Sequence, residues 1–390
     1  MRHSLYIYLL LGTFLLSSCE GWWGRDTFDD RELIYLSASL PVPDTKAPYM
    51  EASGSPTEEN PLNVAVWAST TLGEFKDLGK TGVKENETGE DIVAVHTTAY
   101  FQSGDAQLLS AAIYPPPTDS EQAPKPVYFV SMHPHEGWST NKDQSQQDIG
   151  TEARFTFDGS QDAMFAKQVE GKYRELKDDT KYPTLSYNHL LTLFNVSIGM
   201  DPEDVKNGET LLNIQNAWGT LQELKIQRRD VAVTDQEYGE HVESLVIDLT
   251  KGGSFDYSND VSFVKDNDRS KYLHFKGINT NTDFVSESSP YTLTEEVNEV
   301  AYVICAPTEA QAGSEGARKS EYIITIKTEK RGLQTISLDI KDSNGDFYNG
   351  STMGKQFKLT LYFKRGKNIS LESEFSDWYT GGYGVGNIYD

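Results

Sequence analysis

Lys355-Gln356-Phe357-Lys358-Leu359-Thr360-Leu361-Tyr362-Phe363 is the stretch that decides the fold. Phe357, Leu359, Leu361 and Phe363 fall on one side of an extended chain, and Lys358, Thr360 and, just past the run, Lys364 on the other. Side chains alternate across a strand with a period of two, so this run makes a strand with one face in a core and the other toward water. Arg365-Gly366-Lys367 follows, and then a second strand-like run at 368–375, so the two read as a hairpin.

Outward from this hairpin, short runs of the same kind recur between turn residues. We expect strands at 62–68, 108–114, 126–132, 154–157, 190–198, 221–226, 244–249, 271–275, 300–306, 322–327 and 334–340. Helical patterning is scarce; only 162–170, Asp-Ala-Met-Phe-Ala-Lys-Gln-Val-Glu, reads as one to two turns. Many short strands at near-regular spacing point to an all-β chain of two tandem antiparallel β-sandwiches. The expected division is 1–18 as a signal peptide, 19–46 as an N-terminal segment, 47–180 as a first domain and 181–390 as a second with a glycine-rich tail. The join is placed near 178–181, a charged stretch. No internal repeat or low-complexity tract is evident.

The N-terminus carries its own signal. Met1-Arg2-His3 is a short basic start, residues 5–16 are almost wholly apolar, and Ser17-Ser18-Cys19 follows. A charged tip, a short apolar run and small residues make a secretory signal. The run is too short to span a bilayer, which takes about 20 residues. Leu16-Ser17-Ser18-Cys19 resembles the lipobox of bacterial lipoproteins, which implies that Cys19 becomes the lipidated first residue. Glu20 follows it, so the aspartate associated with inner-membrane retention is absent. Residues 20–32 read as a polar tether, with Trp22 and Trp23 placed for the membrane interface. Then comes Leu33-Ile34-Tyr35-Leu36-Ser37-Ala38-Ser39-Leu40, in which Ile34, Leu36, Ala38 and Leu40 share one face of an expected strand. Pro41 and Pro43 end it, and 44–61 reads as loop.

The 390-residue chain has a net charge of −24. Loss of Arg2 with the signal makes it one unit more negative. Nucleic acid and anionic lipid are therefore disfavoured as partners, because both need basic patches. A hydrophobic content of 37% with 11% aromatic residues argues for a folded core. The only cysteines are Cys19 and Cys305, so a lipidated chain has no intramolecular disulfide. Cys305 sits in the apolar run Val300-Ala301-Tyr302-Val303-Ile304-Cys305-Ala306 and reads as a buried, inert thiol.

Chemistry-bearing motifs are few. His133-Pro134-His135-Glu136 puts two histidines at strand spacing, but Pro134 breaks the strand and no second His or Cys cluster accompanies it. The expectation is a loop, with no metal and no cofactor. No Gly-x-Ser-x-Gly, His-Glu-x-x-His or P-loop occurs. Gly382-Tyr383-Gly384-Val385-Gly386 does not lead from strand to helix as a dinucleotide site requires. Trp138, Trp218 and Trp378 are available for either core or sugar platform, with core favoured. The chain is not expected to be an enzyme.

Three segments together resemble the fimbrillin-like family of Bacteroidetes-type bacteria. The first is Arg154-Phe155-Thr156-Phe157-Asp158-Gly159 with Gln161-Asp162-Ala163-Met164-Phe165-Ala166. The second is Leu185-Ser186-Tyr187-Asn188-His189-Leu190-Leu191-Thr192-Leu193-Phe194-Asn195-Val196-Ser197-Ile198, in which Tyr187 replaces the family's usual Phe. The third is Gly354-Lys355-Gln356-Phe357-Lys358-Leu359-Thr360-Leu361, then Ile369-Ser370-Leu371, then Asp377-Trp378 and the glycine-rich tail. The resemblance implies transthyretin-like, Greek-key sandwiches and a surface fimbrial subunit anchored to the outer membrane by lipid on Cys19. It also implies a removable first strand. Family members are cut after an arginine in the loop after that strand; the matching loop here carries a lysine, which places the cut between Lys46 and Ala47. Ile34, Leu36, Ala38 and Leu40 would then plug the first domain until a neighbour's strand replaces them. Burying four such side chains is worth about 5–8 kcal/mol. The expected partners are other fimbrial subunits, the outer membrane and a host or bacterial surface receptor. The alternative is a monomeric surface lipoprotein that binds glycans through exposed aromatics; a metal-dependent hydrolase using His133 and His135 is a third class.

Overall fold

In this computed structural model, residues 127–171, 183–228, 241–308, 322–340 and 348–378 are described with short omissions. Before them the described residues are 33–34, 37–39, 62–69, 72–73, 75, 82–84, 92–102, 105–108 and 112–113; after them, 387–388. The signal peptide, Cys19, Lys46, Ala47 and the expected join at 178–181 lie outside the described residues.

The chain is all-β. The strands are β1 (Leu33–Ile34), β2 (Ser37–Ser39), β3 (Leu62–Ser69), β4 (Gly82–Lys84), β5 (Ile92–Gln102), β6 (Asp105–Leu108), β7 (Ala112–Ile113) and β8 (Val127–His133). Next come β9 (Trp138–Lys142), β10 (Asp148–Thr156), β11 (Met164–Gly171), β12 (Thr184–His189), β13 (Thr192–Met200), β14 (Leu221–Arg228), β15 (His241–Asp248) and β16 (Val261–Asp266). The last are β17 (Leu273–His274), β18 (Lys276–Gly277), β19 (Asn298–Cys305), β20 (Tyr322–Thr328), β21 (Gly332–Leu338), β22 (Lys355–Phe363), β23 (Ile369–Asp377) and β24 (Asn387–Ile388).

β22 is the stretch quoted at the outset, with the same bounds. Phe357, Leu359, Leu361 and Phe363 are each at most 1% exposed. β22 runs parallel to β13, with Phe194 opposite Phe357, and antiparallel to β23, with Phe375 opposite Phe357. These three belong to a sheet of order β18-β19-β13-β22-β23-β24. A second sheet has the order β17-β14-β20-β21. Phe194 stacks on Phe357 at 4.8 Å and meets Tyr322 of β20 edge-on at 4.8 Å, so the two sheets share an aromatic core. Such ring pairs contribute about 0.5–1.5 kcal/mol each beyond area burial.

The sheet that comes first along the chain, called the first sheet below, has the order β3-β8-β11-β12-β2-β6-β5-β4, and β3 also pairs with β5. That extra pairing closes a ring through β3, β8, β11, β12, β2, β6 and β5, where an open sandwich layer would leave edges. β12, which follows the expected join, hydrogen-bonds into this ring through β11 and β2. A further sheet of order β16-β15-β10-β9 combines a hairpin from each side of the same point.

Several expected elements differ. Residues 162–170 form no helix: β11 occupies most of that range, with Met164 opposite His133 of β8 and His189 of β12. Alanine, lysine and glutamine favour a helix locally, but Ala163, Met164, Phe165 and Ala166 are all buried, and strands flank them on both sides. Of the expected strand at 108–114, Leu108 ends β6, 112–113 form β7 and the rest lies outside the described residues, while 154–157 falls mostly in the end of the longer β10. β4, β5, β9, β12, β16, β18 and β24 have no expected counterpart. Two helices also appear, Pro202–Lys206 and Leu211–Trp218. Asp201 caps the first, accepting from the N–H groups of Glu203 and Asp204 at 2.8 and 3.3 Å, and Pro202 starts it. Thr210 caps the second.

Candidate functional site: the strand that closes the first sheet

β2 is three residues long and lies between β12 and β6. On one side it runs parallel to β12, with Ser37, Ala38 and Ser39 opposite Thr184, Leu185 and Ser186. On the other it runs antiparallel to β6, with Ser37 opposite Gln107 and Ala38 opposite Ala106. Among the described strands nothing else joins β12 to β6, so this short segment alone completes the ring.

Of the eight-residue strand expected at 33–40, the described parts are two strands with different partners. Ile34 is in β1 and pairs with Ala112 of β7 in a separate two-stranded ladder. Ala38 is in β2. Leu36 and Leu40 lie outside the described residues. Sequence reading did not find the neighbours of β2. The alternation of β12, with Leu185, Tyr187 and His189 buried and Thr184 and Ser186 exposed, was the available signal.

β12 is anchored firmly on its far side. Tyr187 lies opposite Ala166 of β11, which lies opposite Ser131 of β8. The small side chain of Ala166 leaves room for the phenol to cross and meet Ser131 Oγ at 2.5 Å. Ser131 Oγ donates to the Ala65 carbonyl at 2.8 Å, so the Tyr187 hydroxyl is the donor to Ser131. Burial pushes the Tyr187 phenol well above its ordinary range, only partly offset by Ser131, and keeps it protonated as that donor.

At the end of β12, His189 Nδ1 is 2.7 Å from Asp162 Oδ2, and both side chains are buried. Trp378 stacks on the His189 ring at 4.1 Å with an interplanar angle of 10°. The backbone N–H of Trp378 donates to the Gly354 carbonyl at 2.6 Å, and the Gly354 N–H donates to Leu191 O at 3.0 Å. Asp162, His189 and Trp378 come from the three segments quoted for the family resemblance, and they converge on one point. β12 thus touches β2 at its start and, at its end, the root of the C-terminal tail. The tail returns as β24, with Ile388 opposite Ser373 of β23.

The other sequence features carry no comparable arrangement. His133 ends β8 and is buried, while His135 Nε2 is 3.6 Å from Glu136 Oε1 at the surface. Among the described residues, no three His, Cys, Asp or Glu side chains are grouped to hold a metal. Cys305 is 4% exposed, and burial pushes its thiol far above the usual range. Trp67, Trp138, Trp218 and Trp378 are all buried, and no described aromatic side chain is exposed.

No family model matches the chain, and no curated protein matches it. Among solved structures, a candidate cell adhesion protein from Bacteroides uniformis is similar at 12% identity and a TM-score of 0.45, over 90% of this chain and 99% of that one. The tip fimbrial protein of Porphyromonas gingivalis, with C-terminal truncation, is similar at 7% identity and a TM-score of 0.36, over 89% and 100%. The fimbrial anchor protein of the same organism is similar at 8% identity and a TM-score of 0.33, over 90% and 100%.

Proposed function

We propose that this chain is a structural and adhesive subunit of a cell-surface fimbria, held at the outer membrane by lipid on Cys19 and assembled by exchange of its first strand. The observation that carries the reading is the position of β2. It is short, it lies within a sheet rather than at an edge, and it alone bridges β12 and β6 among the described strands. A cut between Lys46 and Ala47 would free 19–46 and leave one edge of each flanking strand, β12 and β6, without its partner. Each buried backbone group left without a partner costs about 1–3 kcal/mol, so the emptied slot favours an incoming strand. A neighbouring subunit's strand adds there by β-augmentation. A head-to-tail contact of this kind does not close on itself, so it grows a fibre.

Two tandem sandwiches belong to the same reading: the ring of β2, β3, β5, β6, β8, β11 and β12, and the paired sheets around β22. The motif resemblance supports the family side of the proposal, and the lipobox supports the location. The monomeric glycan-binding alternative has less support, because it needs exposed aromatic platforms and the described tryptophans are buried.

The test is mass spectrometry of chains recovered from the cell surface as monomers and as polymers. We expect monomers to begin at acylated Cys19 and polymerised chains to begin at Ala47. Polymers whose every chain still begins at Cys19 would rule the exchange out.

A further inference from the structure

A strand that joins a sheet is held by backbone hydrogen bonds and chosen by how its alternate side chains fit the face they meet. The slot filled by β2 has one such position. Residues directly opposite one another on neighbouring strands share a face of the sheet. Val66 of β3, Ser131 of β8, Ala166 of β11 and Tyr187 of β12 form one row of this kind. Phe129 and Leu185 lie two residues from Ser131 and Tyr187 along their strands, so they are on the same face. Residue 38 is opposite Leu185 on one side and Ala106 on the other, so it falls on that face too.

On the β12 side this face is fully occupied. Phe129, Leu185 and Tyr187 are each at most 1% exposed. The Tyr187 hydroxyl is fixed on Ser131 Oγ, so its ring cannot swing aside without breaking a buried hydrogen bond. The other face of these strands carries Trp67, Met132 and Phe165, which pack in the core shared with Phe155 of β10. Residues 37 and 39 lie opposite Thr184 and Ser186, both exposed. β2 is Ser-Ala-Ser. Its alanine stands at the one position on the occupied face, and its serines stand at the two that meet exposed hydroxyl residues. In a close-packed interior a change of even one methylene is felt.

We propose that the slot between β12 and β6 selects its incoming strand by size: it takes an extended strand, parallel to β12, with a small residue opposite Leu185. This size rule rests on the strand exchange proposed above and adds what the incoming strand must carry. Backbone pairing alone would accept almost any extended segment, because every residue except proline offers the same N–H and C=O groups. The filled face supplies the discrimination. A bulky residue opposite Leu185 has to displace Leu185 or Tyr187, and overpacking of this kind is unfavourable. A charged residue there would be taken out of water beside apolar side chains. Of the residues in β2, Ala38 is therefore the one that fits the lock, and Ser37 and Ser39 are open to exchange for other polar residues.

The test uses the full chain carrying Cys19→Ser, so that no lipid is attached, and a cleavable site between Lys46 and Ala47, nicked in place. Fluorescent peptides of residues 31–41 are added in excess, and their uptake is read by anisotropy. The wild-type peptide should enter the nicked chain, and an Ala38→Leu peptide should bind about tenfold more weakly. On a Leu185→Ala chain that gap should close or reverse, because the methyl groups lost from the slot make room for those gained by the peptide. Comparing two peptides on one chain cancels any change in that chain's own stability, and Leu185→Val serves if the alanine variant does not fold. An Ala38→Leu peptide that binds as tightly as the wild-type peptide would overturn the size rule and leave strand exchange standing. So would a gap of the same size on the wild-type and Leu185-substituted chains. A nicked chain that takes up neither peptide would overturn the size rule and the exchange together.

Discussion

β22 and β2 are both internal strands, yet they are held in opposite ways. β22 is paired along its whole length, to β13 on one side and β23 on the other, and its buried face is made of Phe357, Leu359, Leu361 and Phe363. β2 contributes three residues, and its partners β12 and β6 have no other connection among the described strands. The sheets around β22 are built to persist. The ring around β2 depends on its smallest piece, and such a piece can be removed without dismantling the long ladders. β12 joins the two regions: it carries β2 at one end and stacks His189 on Trp378 at the other.

The largest expected effect is in the persistent region. Phe357→Ala removes a ring stacked between Phe194 and Phe375 and should cost about 3–5 kcal/mol, seen as a lower urea midpoint. A loss under about 1 kcal/mol would break the comparison. Next is the junction. Asp162→Ala leaves His189 Nδ1 buried without its acceptor and should cost about 2–3 kcal/mol. Its unfolding should be followed both by Trp378 fluorescence and by hydrogen exchange in β12. A common shift sharpens the view that β12 couples the regions, and a shift in only one of them opposes it.

Tyr187→Phe should cost less, about 1 kcal/mol, because Ser131 keeps its bond to Ala65 O and only the phenol's donation is lost. Thermal melts of the purified variant would read it. The smallest effect is pH-dependent and belongs to the β22 side. Burial raises the Asp201 carboxyl, but hydrogen bonds from Lys364, Glu203 and Asp204 outweigh it and hold the pKa below the ordinary value. A carboxyl whose folded pKa is lowered stabilises above its unfolded pKa, and that contribution fades as pH falls through the folded value. The wild-type advantage over Asp201→Asn in melting temperature should therefore be full above about pH 5 and shrink toward pH 3. An advantage that grows on acidification would contradict the assignment.

The clearest strands were legible because one face met a core. β22 buries every second residue from Phe357 to Phe363, and its bounds match the reading from sequence. β11 was not legible as a strand, because Ala-Met-Phe-Ala-Lys-Gln favours helix locally and only its neighbours β8 and β12 make it extended. The helix at Pro202–Lys206 did have a local signal in Asp201-Pro202, an N-cap followed by proline, which a search for strand periodicity passes over. At the candidate site, the apolar alternation of 33–40 marked the segment. Its pairing to Thr184–Ser186 and Ala106–Gln107 could not be read, because strand register across such separations is set by tertiary packing and leaves no local pattern.

The account turns on β2 as the removable bridge between β12 and β6. Its most direct test is hydrogen exchange at Thr184–Ser186 and Ala106–Gln107 in a chain with a cleavable site at Lys46–Ala47. The measurement is made before cutting, after cutting and after polymerisation. We predict slow exchange at first, fast exchange once residues 19–46 leave, and slow exchange again in the polymer, with β13, β22 and β23 unchanged throughout. Amides at both positions that stay equally slow after the segment has gone would contradict the account.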